Sequence, residues 1–371
     1  MWNVSLVDRG WPRRSGAETK APWAARRLAG RPRGVAVVAW GYALLMLVVS
    51  LTIWRVGDRW WPTTLLLYGP RWIWGIPLAA LMLQLPRLGK RLIGPLVLGG
   101  ACWMVPIMGA CVPWRAWQVD SSPEVQLRVL TCNVAIDAVR DGALSGLIEK
   151  VQPDVVALQE APADAEARWF STGLWYFERA GRVLVASRFP IEQASSAHWR
   201  DIGAEGSLLR CDVNIDGDLC HVFGIHLMTP REGLEAVLSH GWRSRPTLEN
   251  NTHLRGLQSA GARRLVERVS GPVIVAGDFN LPVDSLIYRK NWGAWVNAFS
   301  TCGWGLGHTK QTRWFGARID HVLANDDWRF TRCWVGPDVG SDHLPLIADV
   351  YLRRQAVPPA VAQTVRQRAA R

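Results

Sequence analysis

The sequence predicts an α/β sandwich of two sheets preceded by a helical transmembrane region. Three observations carry this prediction. Uncharged runs at 34–54 and 92–114 are each long enough to cross a bilayer. From about residue 125 the pattern changes to short apolar strands mixed with amphipathic helices. Several of those strands are joined by hairpin turns, which fits two packed sheets and not a repeating βαβ chain.

The run 34–54 holds 21 residues between Arg33 and Arg55, and the run 92–114 holds 23 between Arg91 and Arg115. At about 1.5 Å per residue, each covers a hydrocarbon core of about 30 Å. A segment at 63–85 is weaker because Arg71 interrupts it. That arginine either snorkels to the nearer interface or faces a neighbouring helix, and an interfacial or re-entrant segment is the alternative. Many of the 22 tryptophans fall in the first 120 residues, beside the apolar runs. There they read as membrane–water interface residues, with ordinary core aromatics as the alternative.

Orientation follows from Lys/Arg placement. The leader 1–33 carries Arg9, Arg13, Arg14, Lys20, Arg26, Arg27, Arg31 and Arg33, and the loop after 63–85 carries Arg87, Lys90 and Arg91. Both are expected on the cytoplasmic side, so three spans are expected and everything after 115 lies outside. Two spans would leave a basic loop translocated. The leader and first run are too long for a cleaved signal peptide. Residues 115–126 read as a linker and 353–371 as a flexible basic tail. The expected location is a bacterial inner or plasma membrane, with the domain after residue 115 extracytoplasmic.

The chain has 371 residues and a net charge of +12, which invites a nucleic-acid reading. The charge is unevenly placed. Residues 1–126 carry 15 Lys/Arg against 5 Asp/Glu, residues 127–352 carry 23 against 26, and residues 353–371 carry 5 against none. The basic surplus thus lies outside the strand-rich region, which has no bulk attraction for nucleic acid, although a local basic groove stays open. None of the seven cysteines has zinc-site spacing. Cys211 and Cys220 flank a hairpin, where a cross-strand disulfide and buried free thiols are both open.

Within 127–352, strands are expected at 125–134, 154–159, 182–186, 208–215, 219–226, 273–276, 318–323 and 346–352. Asp216–Gly217 marks the hairpin turn between 208–215 and 219–226. Helices are expected at 141–151, with Leu144, Leu147, Ile148 and Val151 at helical spacing, and at 251–269. The polar residues of interest sit at strand ends, where a sandwich gathers them into one cleft.

Six patterns stand out: Thr131-Cys132-Asn133-Val134, Leu158-Gln159-Glu160, Gly224-Ile225-His226-Leu227, Gly277-Asp278-Phe279-Asn280, Arg318-Ile319-Asp320-His321 and Ser341-Asp342-His343-Leu344-Pro345. Each alone is more often a turn, a cap or a core histidine than a functional group. As an ordered set over about 127–352 they resemble the endonuclease/exonuclease/phosphatase (DNase I-like) superfamily, and the membrane-spanning N-terminus resembles a bacterial branch of it. The resemblance implies a divalent-metal-dependent phosphoester hydrolase using Mg2+, with Mn2+ as a substitute. It implies Glu160 as principal metal ligand, with Asn133 and Asp342 assisting. Asp278 would orient or deprotonate the attacking water, and Asn280 would hold a phosphate oxygen. His343 would contact the phosphate, fixed by Asp320, and His226 would donate to the phosphate or leaving group. His321 faces the other side of its strand and is expected to be structural, while His308, Arg188 and Arg255 are further candidates for the cleft. The expected partners are the lipid bilayer, through the N-terminal helices, and a phosphoester substrate, lipid or nucleic acid; no protein partner is expected. An extracytoplasmic nuclease and a non-catalytic membrane scaffold are the competing functions.

Overall fold

The computed structural model of the protein describes residues 22–113, 127–136, 138–171 and 173–353. The leader to residue 21, the expected linker at 115–126 and the tail from 354 lie outside the described residues. The chain begins with α1 (Pro22–Arg55), followed by α2 (Trp61–Tyr68), α3 (Ile76–Met82), α4 (Leu85–Leu88) and α5 (Ile93–Cys102). Among the described residues, one helix is long and apolar enough to cross a membrane, Arg33–Arg55. The expected span at 63–85 is instead bent by 86° between Trp61–Tyr68 and Arg71–Met82. Gly69 and Pro70 stand at the break, with Gly69 extended at φ −91° and ψ 179°, and Pro70 has no N–H to continue the helix. The segment expected at 92–114 is helical over α5 and a π-helical turn, Trp103–Ile107, that contains Pro106. It ends in an isolated bridge between Cys111 and Gly305.

Small residues let these helices meet closely. Gly94 lies against Trp40 and Gly99 against Tyr42 and Ala43, while the Ser50 hydroxyl reaches the Cys102 carbonyl at 3.4 Å. Residue numbers rise together, so α1 and α5 run parallel. Gly75 meets Trp103 and Gly100 meets Leu78, so α3 runs antiparallel to α5. Val37, Val38, Leu44, Val48 and Leu51 of α1 point outward and are exposed, as are Ile93 and Val97 of α5. An exposed apolar surface of that extent marks a face that meets a membrane or another protein.

The rest of the chain is a sandwich. β1 (Leu127–Asn133), α6 (Ala143–Val151), β2 (Val155–Gln159), α7 (Ala165–Trp169), β3 (Tyr176–Ala180) and β4 (Val183–Ser187) come first. Next are β5 (Ile191–His198), β6 (Ser207–Ile215), β7 (Asp218–His226), α8 (Arg231–His240), α9 (Arg245–Val266), β8 (Val273–Asp278) and α10 (Leu286–Trp292). Then follow β9 (Val296–Asn297), α11 (Ala298–Cys302), β10 (Lys310–Gln311), β11 (Gly316–Ala317), β12 (Asp320–Ala324), β13 (Trp328–Val335) and β14 (Leu346–Leu352). One sheet has the order β13-β14-β1-β2-β4-β3 and the other β5-β6-β7-β8-β12-β9.

Alternation along the strands divides three apolar layers. Leu127, Val129, Val155 and Val185 face Cys211, Val222, Ile274 and Val322 between the sheets. Leu130, Cys132, Val156 and Leu158 turn outward onto α6 and α7, and Phe223, Val275 and Leu323 turn outward onto α9 and α10. The side-chain period of two makes each central strand apolar on both faces. Asp216 (φ 53°) and Gly217 (φ 96°) form the two-residue hairpin turn expected between β6 and β7. In that hairpin Cys211 is opposite Val222 and Cys220 opposite Val213, and both thiols are free and buried. β5 had no signal in the sequence, because Ile191–His198 is an edge strand with a polar, exposed run. Helix α9 starts before the expected 251, at a Pro in its first turn.

Gly224 explains why its motif needs glycine. A Cβ at that position would lie 2.8 Å from Val185 and 3.0 Å from Val183 of the opposite sheet. Gly224→Val should therefore overpack the interior and cost about 1–3 kcal/mol of stability. Chemical unfolding of the detergent-solubilised protein checks this, and Val185→Ala in the same chain should restore part of the loss. Unchanged stability in Gly224→Val would show that the sheets are not in contact there.

Candidate active site

Strand register places three functional side chains in one row. His226 is opposite Asp278 in the parallel β7–β8 pair, and Asp320 is opposite Asp278 in the antiparallel β8–β12 pair. Residues opposite one another share a face of the sheet, so all three project from the same end of the second sheet. Gly277 makes the row possible. A Cβ there would stand 1.9 Å from the Ile225 carbonyl oxygen, so no other residue lets β8 pass β7 this closely. Phe279 then drops among Tyr288, Trp292 and His321 and fixes the turn. Asn280 takes a left-handed conformation, φ 52°.

The first sheet supplies the opposite wall. Asn133 ends β1, and Glu160 follows β2 with φ 54°. The Asn133 amide Nδ2 donates to Glu160 Oε1 at 3.0 Å and to Asp278 Oδ2 at 3.1 Å. Its Oδ1 accepts from the Ala135 amide at 3.0 Å, which locks the orientation of the side chain. Beneath it, Gln159 Nε2 donates to Thr131 Oγ1 at 3.2 Å and to the Ala157 carbonyl at 3.1 Å, so the buried polar groups under the cleft are matched. Two non-glycine residues in the left-handed region at one cleft is the kind of strain that gathers at functional sites.

Ser341, Asp342 and His343 approach from the loop before β14. The Ser341 hydroxyl donates to the Asn133 carbonyl at 2.7 Å and accepts from the His343 amide at 3.1 Å. His343 Nδ1 lies 2.9 Å from Asp320 Oδ2 and 3.1 Å from Oδ1, and its Nε2 is 3.7 Å from Asp278 Oδ2. Burial alone would lower the His343 pKa, but the carboxylates of Asp320 and Asp278 outweigh it and push it up to about 9. Burial would likewise raise Asp320, but the His343 cation and its hydrogen bond hold that carboxyl low. Asp278 goes the other way: burial and then the Asp320 charge raise it, against the pull of His343 and His226. His226 Nε2 stands 3.8 Å from both Glu160 Oε1 and Asp278 Oδ2.

The set fits a hard divalent cation. Glu160 and Asp278 offer carboxylate oxygens beside one amide, and the facing histidines stay beyond hydrogen-bond distance, so room remains among them. Asp278, Asp320 and His343 also have ligand atoms within 4.8 Å of one another. Because both Asp320 oxygens face His343 Nδ1, that triad is better explained as a histidine held by its carboxylate.

Not every expected residue presents itself to the cleft. Asp342 is half exposed and pairs with Lys310, and its Oδ1 lies 3.9 Å from His343 Nε2. Asn280 does line the cleft, with its amide turned to the Leu227 carbonyl at 2.8 Å and to Asp278 Oδ2 at 3.3 Å, so it sets the Asp278 carboxylate. His321 is structural as expected: Nε2 lies 2.8 Å from the Leu281 carbonyl, and burial lowers its pKa to about 4. Arg188 stacks on Trp175 away from the cleft. Arg255 lies behind it, fully buried, and donates to the Met228 and Asn280 carbonyls.

The cleft, about 390 Å³, also contains side chains that the sequence did not single out: Tyr68 of α2, Arg231 of α8, and Lys310. Lys310 left a faint signal, since it is the one Lys in the stretch before Arg318; Tyr68 left none, because it comes from the membrane region.

Residues 130–343 match the family model described as Endonuclease/Exonuclease/phosphatase family. No curated protein matches the chain. Solved structures that it resembles include a humanized D. rerio TDP2 carrying 14 mutations, at 16% identity and a TM-score of 0.47, covering 61% of this chain and 98% of that one. An endonuclease/exonuclease/phosphatase from Beutenbergia cavernae shares 18% identity with a TM-score of 0.46, over 61% of this chain and 71% of that one. A Bacteroides thetaiotaomicron mannosyl-6-phosphatase shares 16% identity with a TM-score of 0.44, over 61% of this chain and all 100% of its own.

The raised His343 pKa has a pH consequence. With the folded value at about 9 against an ordinary 6.5, its charge stabilises the fold fully below 6.5, and that contribution is lost as pH rises through about 9. Unfolding free energy should fall across that window. In Asp320→Asn the His343 ring should titrate well below its wild-type midpoint, read by NMR of the imidazole protons, and the fall in stability should flatten. An unmoved midpoint would mean that Asp320 is not what holds the proton.

Proposed function

The chain belongs to the endonuclease/exonuclease/phosphatase family, and from that premise we propose that it is a membrane-anchored, divalent-metal-dependent phosphoester hydrolase that prefers diesters. The observation that carries the proposal is the single Asn133 amide joined to both Glu160 and Asp278, one carboxylate from each sheet. Glu160, with Asn133 beside it, would hold the cation, Mg2+ or in its place Mn2+. Bound there, the cation supplies positive charge to the phosphate oxygens.

The chain's own groups divide the remaining work. Asp278, its pKa raised by burial and by Asp320, is suited to orient a water and take its proton. The water oxygen forms a new P–O bond, and the bond to the leaving oxygen breaks. His226 gives that oxygen its proton, leaving a phosphomonoester and an alcohol. His343, kept cationic by Asp320, clamps the charge that builds on the phosphate. Asn280 keeps the Asp278 carboxylate turned toward the cleft.

Membrane anchoring through α1, and the extracytoplasmic location of the domain, are part of the same proposal. The parallel packing of α1 with α5 and the antiparallel direction of α3 carry Lys90 and Arg91 to the end of these helices away from the sandwich, the side that the placement of Lys and Arg makes cytoplasmic. A nuclease has less support, since Arg231 and Lys310 share the cleft with Glu160, Glu205, Glu235 and Asp278. A non-catalytic scaffold would need no open cleft with matched carboxylates.

Asp278→Ala should reduce kcat/KM for bis-p-nitrophenyl phosphate by about 10²-fold or more even at Mg2+ concentrations that calorimetric binding shows to be saturating. Glu160→Gln should weaken that binding itself, and EDTA should abolish turnover in the native chain. Full activity in Asp278→Ala would refute its role; no turnover of this diester, plasmid DNA, RNA, sphingomyelin or phospholipid would favour the scaffold. In whole cells, a membrane-impermeant maleimide should label Ser196→Cys and spare Arg91→Cys. The opposite pattern would place the domain in the cytoplasm.

A further inference from the structure

A second cavity, about 210 Å³, lies between the N-terminal helices and the catalytic domain. Leu67, Trp72 and Met108 form one wall, and Pro282, Val283 and Phe315 the other. It shares Tyr68, Phe315 and Ala317 with the catalytic cleft, so the two spaces meet at those side chains. Beside His308, the charged groups in its walls are already engaged. Arg71 pairs with Asp284 and donates to the Ile107 carbonyl at 2.9 Å. Arg318 reaches Cys111 at 3.0 Å and lies over the Phe299 ring. What remains for an occupant is mainly apolar surface.

The position of this cavity relative to the chemistry is fixed. The Tyr68 hydroxyl donates to the Asn280 carbonyl at 3.1 Å, two residues past Asp278. Asp58 accepts from the Ser285 hydroxyl and from the Ile287 amide at 3.2 Å, which ties the turn after α1 to the start of α10. The same level of the molecule is ringed by exposed tryptophans, Trp54, Trp60, Trp72 and Trp314. Trp72 Nε1 donates to the Trp314 carbonyl at 2.9 Å, so the ring joins both parts. Arg55 and Arg289 lie over Trp54, and Arg313 lies over Trp314. Tryptophan with arginine is the composition of a membrane–water interface, and the arginines suit anionic headgroups. The cavity lies between the helices that expose Val48 and Leu51 of α1 and the cleft that holds the carboxylates, a position suited to headgroup depth if α1 crosses a bilayer.

We propose that this cavity takes a hydrocarbon chain of an anionic membrane phospholipid whose phosphodiester lies in the catalytic cleft. The inference rests on the hydrolase reading for its chemistry, and its test separates the two. The full chain is reconstituted in phosphatidylcholine vesicles containing a phosphatidylglycerol that carries a diazirine on its acyl chain. Irradiation should place adducts on Met108, Val283 and Phe315. Excess dioleoyl phosphatidylglycerol should suppress them about tenfold, and glycerol 1-phosphate should not. Val283→Trp and Met108→Trp, which fill the cavity from opposite walls, should each lower the cavity adducts by a similar factor. The competition arm uses the native chain, so it stands even if a variant fails to fold. Adducts confined to the outward faces of α1 and α5, around Val48 and Val97, would overturn the proposal, as would suppression by glycerol 1-phosphate alone. Turnover of the chromogenic diester without cavity labelling would remove the lipid chain and keep the hydrolase. Cavity labelling without any turnover would remove the hydrolase and keep the lipid site.

Discussion

One side-chain amide links the two sheets at the site. Asn133 stands at the end of β1 in the first sheet, and both bonds from its nitrogen go to carboxylates, one carried by each sheet. Asp278 is almost wholly buried, and an ionised carboxylate in that position needs a donor for each oxygen. Asn133 supplies one for Oδ2, and the Asn280 backbone amide supplies another to Oδ1 at 2.8 Å. The ends of β1 and β8 are therefore held face to face. The narrow spacing at Gly224 and the apolar layer below it keep the sheets at the distance this bond requires.

Electrostatics then gives neighbouring groups different tasks. Asp278 and Asp320 occupy adjacent positions in one ladder, yet their proton affinities are driven apart. The difference is where the His343 ring sits: its Nδ1 side is in hydrogen-bond contact with Asp320, and its Nε2 side is 3.7 Å from Asp278. One carboxylate is committed to the cation and the other is left able to take a proton. Two similar residues acquire opposite proton affinities from their surroundings alone.

Much of this site was legible in the sequence because its parts lie at strand ends within short patterns. Gly277-Asp278-Phe279-Asn280 contains its own explanation: close approach, carboxylate, aromatic anchor and turn. Ser341 and His343 are tied to β1 by hydrogen bonds that the three-residue motif encodes locally. Other parts were not legible because they depend on distant partners. Asp342 turns toward Lys310, which sequence order cannot reveal, and Asn280 directs its amide inward to Leu227. The bend between α2 and α3 was hidden for a different reason. Hydropathy averages over Gly69 and Pro70, whereas the backbone breaks at them. β5 was missed because an edge strand has no need of apolar alternation.

Tyr68 is covalently part of the membrane region, but it packs as part of the catalytic domain. Arg255 is buried with its guanidinium over the Tyr68 ring, and its Nη2 donates to both the Tyr68 hydroxyl and the Asn280 carbonyl. Removing the helices would leave that cation against an open wall and take one of its two donors from the Asn280 carbonyl. The packing around the site thus extends beyond the segment that defines family membership. A change in how the N-terminal helices pack on the sandwich has a direct mechanical route to the turn that carries Asn280.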